Sequence, residues 1–170
     1  MNNVFRGHGF LGLEGVWKDG EVEVTLVNVY SPCDLEGKRA LWRELSKYKA
    51  NSNVTRWCVM GDYNSIRYGR ERVGERLGPQ GGREMEGFNQ LIEDLELCDI
   101  PLVRRSFIWY RPNGKAKSRI DRVLLSIDWL TTWQGCTQYV LNRSVSGHCP
   151  LVVRNNLFDW VPKPFKILNC

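Results

Sequence analysis

The chain has 170 residues, 42% of them hydrophobic and 25% charged, the size of one domain able to bury about 70% of the surface its unfolded chain exposes. Its 24 Lys and Arg against 19 Asp and Glu leave a net charge of +5, with an isoelectric point near 9.0, which favours a polyanionic partner. The N-terminus lacks the apolar stretch of a signal peptide and no run is long enough to cross a bilayer, so no membrane partner is expected and an intracellular location is.

Residues 22–30 alternate in polarity and are rich in β-branched side chains, with Val22, Val24 and Leu26 on one face and Thr25, Val27 and Val29 on the other. A strand ending at Ser31-Pro32 is predicted. Asp34 then caps a helix whose apolar stripe is Leu41, Leu45 and Tyr48. A short apolar strand over 56–60 runs into Gly61-Asp62-Tyr63-Asn64, and residues 65–82, rich in Gly and charge, read as a long loop. The clearest helix is predicted over 83–97, with Met85, Phe88, Leu91, Ile92 and Leu95 facing a core.

Two strands, 106–110 and 120–125, are predicted to be joined by the turn Pro112-Asn113-Gly114. Ser126 or Asp128 caps a short helix over Trp129, Leu130 and Trp133, and strands follow at 139–141 and 149–153. The prolines of 159–165 make the tail an extended linker. Mixed hairpins and helices give an α/β class with mixed sheets. The six cysteines have no closely spaced pair and only two histidines could join them, which reads as reduced thiols rather than a zinc site or a disulfide framework.

Four polar clusters follow or begin predicted strands: Asn28-Val29-Tyr30-Ser31-Pro32, Gly61-Asp62-Tyr63-Asn64, Ser118-Arg119-Ile120-Asp121-Arg122 and Ser146-Gly147-His148-Cys149-Pro150. Groups at strand ends converge on one rim of a sheet. Taken singly, Asp62 with Asn64 also fits a turn in which the side chains bond their own backbone, and His148 fits a surface histidine. Residues 104–122 hold seven basic side chains, Arg104, Arg105, Arg111, Lys115, Lys117, Arg119 and Arg122, against the single acid Asp121. Interleaved with Phe107, Trp109 and Tyr110, the run fits a DNA-facing lip as well as it fits a solvated hairpin.

The order and wording of the four clusters resemble the endonuclease/exonuclease/phosphatase superfamily, the fold of DNase I and the abasic-site endonucleases. They are most similar to the endonuclease domain of plant LINE-type, non-LTR retrotransposon polyproteins. The resemblance runs from about Gly9 to the last residue, through Phe107-Ile108-Trp109-Tyr110-Arg111-Pro112-Asn113-Gly114 to the tail Trp160-Val161-Pro162-Lys163-Pro164-Phe165. It implies a DNase I-like α/β sandwich of two mixed sheets with outer helices. Residues 1–155 would form a partial domain lacking the family's N-terminal strands, and 156–170 a linker toward a reverse transcriptase.

By the same resemblance the catalytic set is Tyr30, Asp62, Asn64, Asp121 and His148, the partner is DNA, the cofactor is Mg²⁺ and the location is the nucleus; no protein partner is implied. Asp62 would accept a proton from the attacking water, Asn64 would orient that water or the phosphate, His148 held by Asp121 would donate to a phosphoryl oxygen, and Tyr30 would contact the phosphate. Arg104, Arg105, Trp109, Tyr110, Arg111, Lys115, Lys117, Arg119 and Arg122 would bind nucleic acid. The sequence departs from the pattern where the family has Asp and this chain has Gly147, and where the family's early Glu, its principal Mg²⁺ ligand, has no counterpart. Mg²⁺ demands oxygen ligands in near-octahedral geometry, so no intact metal site and no turnover by the isolated chain are expected. The alternatives are a non-enzymatic nucleic-acid-binding remnant and, less favoured by the basic hairpin, a phosphatase of the same superfamily.

Overall fold

The computed structural model describes residues 3–18 and 20–155. In chain order the elements are β1 (Asn3–Gly7), β2 (Phe10–Trp17), β3 (Val22–Tyr30), α1 (Leu35–Asn51), β4 (Trp57–Asp62), a 3-10 turn (Gly69–Glu71), β5 (Arg72–Val73), α2 (Gly81–Asp94), β6 (Leu97–Asp99), β7 (Leu102–Val103), β8 (Trp109–Tyr110), β9 (Lys117–Ser118), β10 (Asp121–Ser126), α3 (Ile127–Thr132), β11 (Cys136–Val140) and β12 (Leu151–Asn155). The tail 156–170, expected as a linker, lies outside the described residues.

The strands form a six-stranded mixed sheet ordered β1-β2-β3-β4-β10-β6, and two three-stranded sheets, β12-β11-β7 and β5-β9-β8. Helices α1 and α2 cover one face of the wide sheet, where Leu41, Trp42, Leu45, Phe88, Leu91 and Ile92 pack on Val27, Val29, Val59 and Leu124. The other face carries Leu26, Cys58, Met60, Val123 and Leu125, which meet Leu151 and Val153 of the second sheet and Trp129 and Trp133 of the α3 region. The expected alternation of β3 holds, because its odd and even residues serve these two cores. Both predicted caps form: Asp34 Oδ1 accepts from Gly37 N at 2.8 Å, and Ser126 Oγ accepts from Trp129 N at 3.3 Å.

Two expectations are corrected, and one hairpin went unpredicted. The turn Pro112-Asn113-Gly114 joins β8 to β9, not to β10, which instead lies between β4 and β6. Helix α2 stops at Asp94, earlier than 97, because Glu96 takes a left-handed φ of 50° and the chain turns directly into β6. The hairpin β1-β2 was not predicted; Gly7, Gly12 and Gly15 interrupt its alternation, and the Phe5 ring occupies the space a side chain at Gly12 would need.

The narrow sheet covers only part of the wide one. Val4, Leu11 and Leu13 continue the face of Leu26 and Met60 and stay exposed. Alongside runs an open cleft of about 520 Å³ lined by Trp17, Leu26, Met60, Trp129, Leu151 and Val153 among others. Among the described residues β12 has a strand neighbour on one side only. The five described cysteines are free thiols, and no described helix is long and apolar enough to cross a membrane.

Candidate active site

Register assembles the site. Parallel pairing of β3 with β4 sets Tyr30 opposite Asp62, and antiparallel pairing of β10 with β4 sets Asp121 opposite the same Asp62. Paired residues share a face, so Tyr30, Asp62 and Asp121 form a row across three adjacent strands at one sheet end, on the face turned toward the second sheet. The ladder continues one step past the strands: Ser31 N donates to Asp62 O at 2.8 Å and Tyr63 N to Ile120 O at 2.9 Å. Gly61, with φ 137°, makes the approach possible, since a Cβ there would overlap the Val29 carbonyl.

His148 enters from the far side. A bridge between Trp109 and His148 and a 2.8 Å bond from Tyr110 N to Gly147 O dock its loop on β8. Its Nδ1 lies 2.9 and 3.1 Å from the two oxygens of Asp121. Asp121, His148, Ser146 and Asn28 share a cavity of about 400 Å³ walled by Met60, Val123, Pro150 and Leu151. Asn28 heads the first polar cluster of the sequence but was assigned no role, although it stands two residues before Tyr30 on one face of the strand and period-two alternation points to it.

Asn64 closes the constellation, and the turn reading is also correct. Its N–H donates to Asp62 Oδ1 at 2.8 Å, its Nδ2 to Ser31 O at 2.7 Å, and its φ of 48° is left-handed. One amide N–H and Oδ1 are left for a water or a phosphate. Tyr30 is 73% exposed at the strand end, open to a ligand.

Burial pushes the Asp62 carboxyl above its ordinary range, against the Asn64 N–H and the charges of His148 and Lys38, which pull it down. Asp121 is raised by burial too, with its bond to His148 opposing and Asp62 reinforcing the rise. Two carboxylates in one partly desolvated place resist joint ionisation. A proton acceptor and a donor-bearing ring thus stand side by side, which is what water activation beside a phosphoryl group requires.

Among the described residues the group that could hold a metal is Asp62, Asp121 and His148, with ligand atoms within 4.8 Å of one another. Of its carboxylate oxygens, Asp62 Oδ1 already accepts the Asn64 amide and both Asp121 oxygens face the His148 ring, so a Mg²⁺ there would compete with these bonds and keep most of its six ligands as water.

The expected nucleic-acid residues divide. Arg104, Arg105, Arg111 and Lys115 are exposed, with Arg105 bonded to Asn142 and Arg111 near Glu75. Lys117 lies over the Phe107 ring at 4.6 Å and Tyr110 beneath Arg143 at 5.6 Å, while Trp109 packs beside Gly147. Arg122 is wholly buried: it binds Glu71, and Asp99 at 2.7 Å, and faces Phe88 under α2. Arg119 turns inward to Asp99 and Glu71 as well. Strand alternation explains Arg122, which must point away from the face that carries Asp121; Arg119 precedes the strand and is drawn inward by the same two acids.

No protein-family model matches the sequence, and no curated protein matches it. Solved structures do match. The chain is similar to a 3′ phosphatase, NExo, from Neisseria bound to product DNA hairpin, at 16% identity and TM-score 0.66, covering 94% of this chain and 72% of that one. It is similar to the endonuclease domain of TRAS1, a telomere-specific non-LTR retrotransposon, at 16% identity and TM-score 0.65, covering 93% and 70%. To beta toxin from Staphylococcus aureus the figures are 15% and 0.60, covering 87% of this chain and 57% of that one, so this chain spans little more than half of the toxin's length. The likeness is one of fold: a mixed α/β fold shared with DNase I-like structures, whose members include endonuclease/exonuclease/phosphatase proteins and a retrotransposon endonuclease domain.

Proposed function

We propose that this chain carries the phosphate-binding and proton-transfer half of a DNA phosphodiesterase site of the kind that nicks chromosomal DNA for plant LINE-type, non-LTR retrotransposons, and that as written it binds a phosphodiester without turning it over. One observation carries the reading: Tyr30, Asp62 and Asp121 stand in register on three neighbouring strands, with His148 bonded to Asp121. That set supplies an acceptor for the proton of an attacking water at Asp62 and, when the ring is protonated, an Nε2–H donor for a phosphoryl oxygen at His148. With Nδ1–H given to Asp121, only the imidazolium has a second proton to donate. The likeness to the TRAS1 endonuclease domain and the exposed Arg104, Arg105, Arg111 and Lys115 support DNA as substrate and the nucleus as its place. Mg²⁺, bound in active enzymes of this kind, would supply charge neutralisation for the transferring phosphoryl group; here the carboxylate set lacks the side chain absent at Gly147.

The test is nicking of supercoiled plasmid with Mg²⁺. The chain as it stands leaves plasmid intact, whereas Gly147→Asp fused to a segment that supplies the glutamate nicks it, and Asp62→Asn abolishes the gain. A folded, repaired protein that does not nick overturns the proposal. A second reading, a non-enzymatic DNA-binding remnant, rests on the exposed basic side chains. It requires affinity that falls steeply with salt and is indifferent to His148→Ala. Turnover of a small phosphomonoester in preference to plasmid would favour a phosphatase instead.

A further inference from the structure

Lys38 of α1 is 1% exposed, and a lysine is almost never so buried unless paired. Its Nζ donates to the backbone carbonyl of Asn64 at 2.8 Å and forms an ion pair with Glu84 Oε1 at 2.8 Å. Neither partner lies on α1. Asn64 belongs to the loop that carries Asp62, and Glu84 to the first turn of α2. The lysine therefore ties the loop to both helices.

What it holds is conformationally costly. Asn64 is a non-glycine residue at φ 48°, a sparsely populated region that persists only where the surroundings over-determine it. The left-handed turn returns the Asn64 N–H to Asp62 Oδ1 and sends its side-chain amide to Ser31 O. Two of the three bonds that fix Asn64 are charge-assisted, the one its N–H gives to the Asp62 carboxylate and the one its carbonyl takes from the Lys38 ammonium, and of those two only the second is anchored outside the loop. Glu84 supplies the opposite charge that a buried ammonium needs as a partner.

We propose that Lys38 is a positioning residue: it holds the Asn64 backbone in the left-handed turn that presents Asp62 and the Asn64 amide to a phosphodiester, and Glu84 holds Lys38 in place. The proposal rests on the reading of Asp62 and Asn64 as phosphodiester residues. It separates Lys38 from a simple interhelical ion pair, which would stabilise the packing of α1 on α2 without governing the loop.

The experiment is amide hydrogen exchange and ¹⁵N NMR on the wild-type chain and on Lys38→Met, Lys38→Arg and Glu84→Gln. In Lys38→Met the Asn64 N–H exchanges at least about tenfold faster, the scale of one lost buried hydrogen bond, and its side-chain amide resonances move, while Leu45 and Val59 keep their rates. Lys38→Arg restores the Asn64 signals, and Glu84→Gln shifts them less than Lys38→Met does. Unchanged Asn64 exchange, or acceleration of Leu45 and Val59 in step with it, overturns the proposal. Should Lys38→Met not fold, Glu84→Gln decides by the same reading, and an unmoved Asn64 there is fatal to it. Titration of the wild-type chain with a short DNA duplex separates the two ideas: if no resonance of Asp62 or Asn64 responds, the phosphodiester reading fails, while the exchange data still decide what Lys38 holds.

Discussion

His148 Nδ1 lies 2.9 Å from Asp121 Oδ2, although Asp121 stands on β10 and His148 in the loop docked on β8. The carboxylate fixes the ring's orientation through Nδ1. His148→Ala is expected to weaken binding of a short DNA duplex about tenfold, roughly 1.4 kcal/mol. In an Asp121→Asn background the same change costs less than half of that, because the ring has lost the carboxylate that orients it. A double-mutant cycle by fluorescence anisotropy measures the coupling; strict additivity would show that the pair is not used for binding.

Burial raises the Asp62 and Asp121 carboxyls above the ordinary carboxylate range. A folded value above the unfolded one, about 3.9 for Asp, means that the folded chain holds its proton more tightly. The associated stability is fully present below the unfolded value and is lost as pH rises through the folded one. At neutral pH both ionised groups therefore work against the fold. Asp62→Asn, which keeps an acceptor for the Asn64 N–H, is expected to raise the Tm at pH 7, with the gain shrinking as pH falls toward about 4. Calorimetry across pH checks the sign, and a lower Tm at pH 7 would refute it.

Gly147 is a small residue in a tight place rather than a strained one. A Cβ added there would lie 3.1 Å from Tyr110 O and 3.3 Å from Trp109 Nε1, so the indole must give way by a few tenths of an ångström. Gly147→Asp is expected to fold at a cost of about 1 kcal/mol, a Tm lower by about 2–4 °C, with a change in tryptophan fluorescence. Trp109→Phe in the same background returns part of the loss. A Tm unaffected by Gly147→Asp would mean that the loop opens freely.

Arg122 is the centre of a buried set in which Arg119 and Arg67 share Asp99 with it and Arg119 also meets Glu71. Arg122→Ala leaves both acids short of their best partner. Removing one member of a buried ion pair costs about 3–5 kcal/mol, and the lower end is expected because two arginines remain. The urea midpoint at constant m-value reports it. A change below about 1 kcal/mol would assign Arg122 to the surface after all.

Much of the fold was legible because it is local. The alternation of β3, the apolar run of β4 and the Asp34 and Ser126 caps are written within a few residues of the elements they define. The β1-β2 hairpin was not, since its glycines break the alternation and the ring of Phe5 fills the space over Gly12, a fit that no local pattern shows. The two-residue β9 was hidden for a like reason: it exists only because β5 and β8 flank it. Lys38 gave no signal, as its partners Asn64 and Glu84 lie on other elements.

The sequence by itself determined which residue types and strand-end clusters are present, because chemistry and periodicity are properties of neighbours along the chain. It even contained the reason why Arg122 cannot face the same way as Asp121. Tertiary structure decided which groups meet. Pairing of β3 and β10 on either side of β4 brings Tyr30 and Asp121 to Asp62, and docking of the 146–148 loop on β8 brings His148 to Asp121. Strand register is set by packing between segments far apart in sequence, and a slip of one residue would turn every one of these side chains to the opposite face.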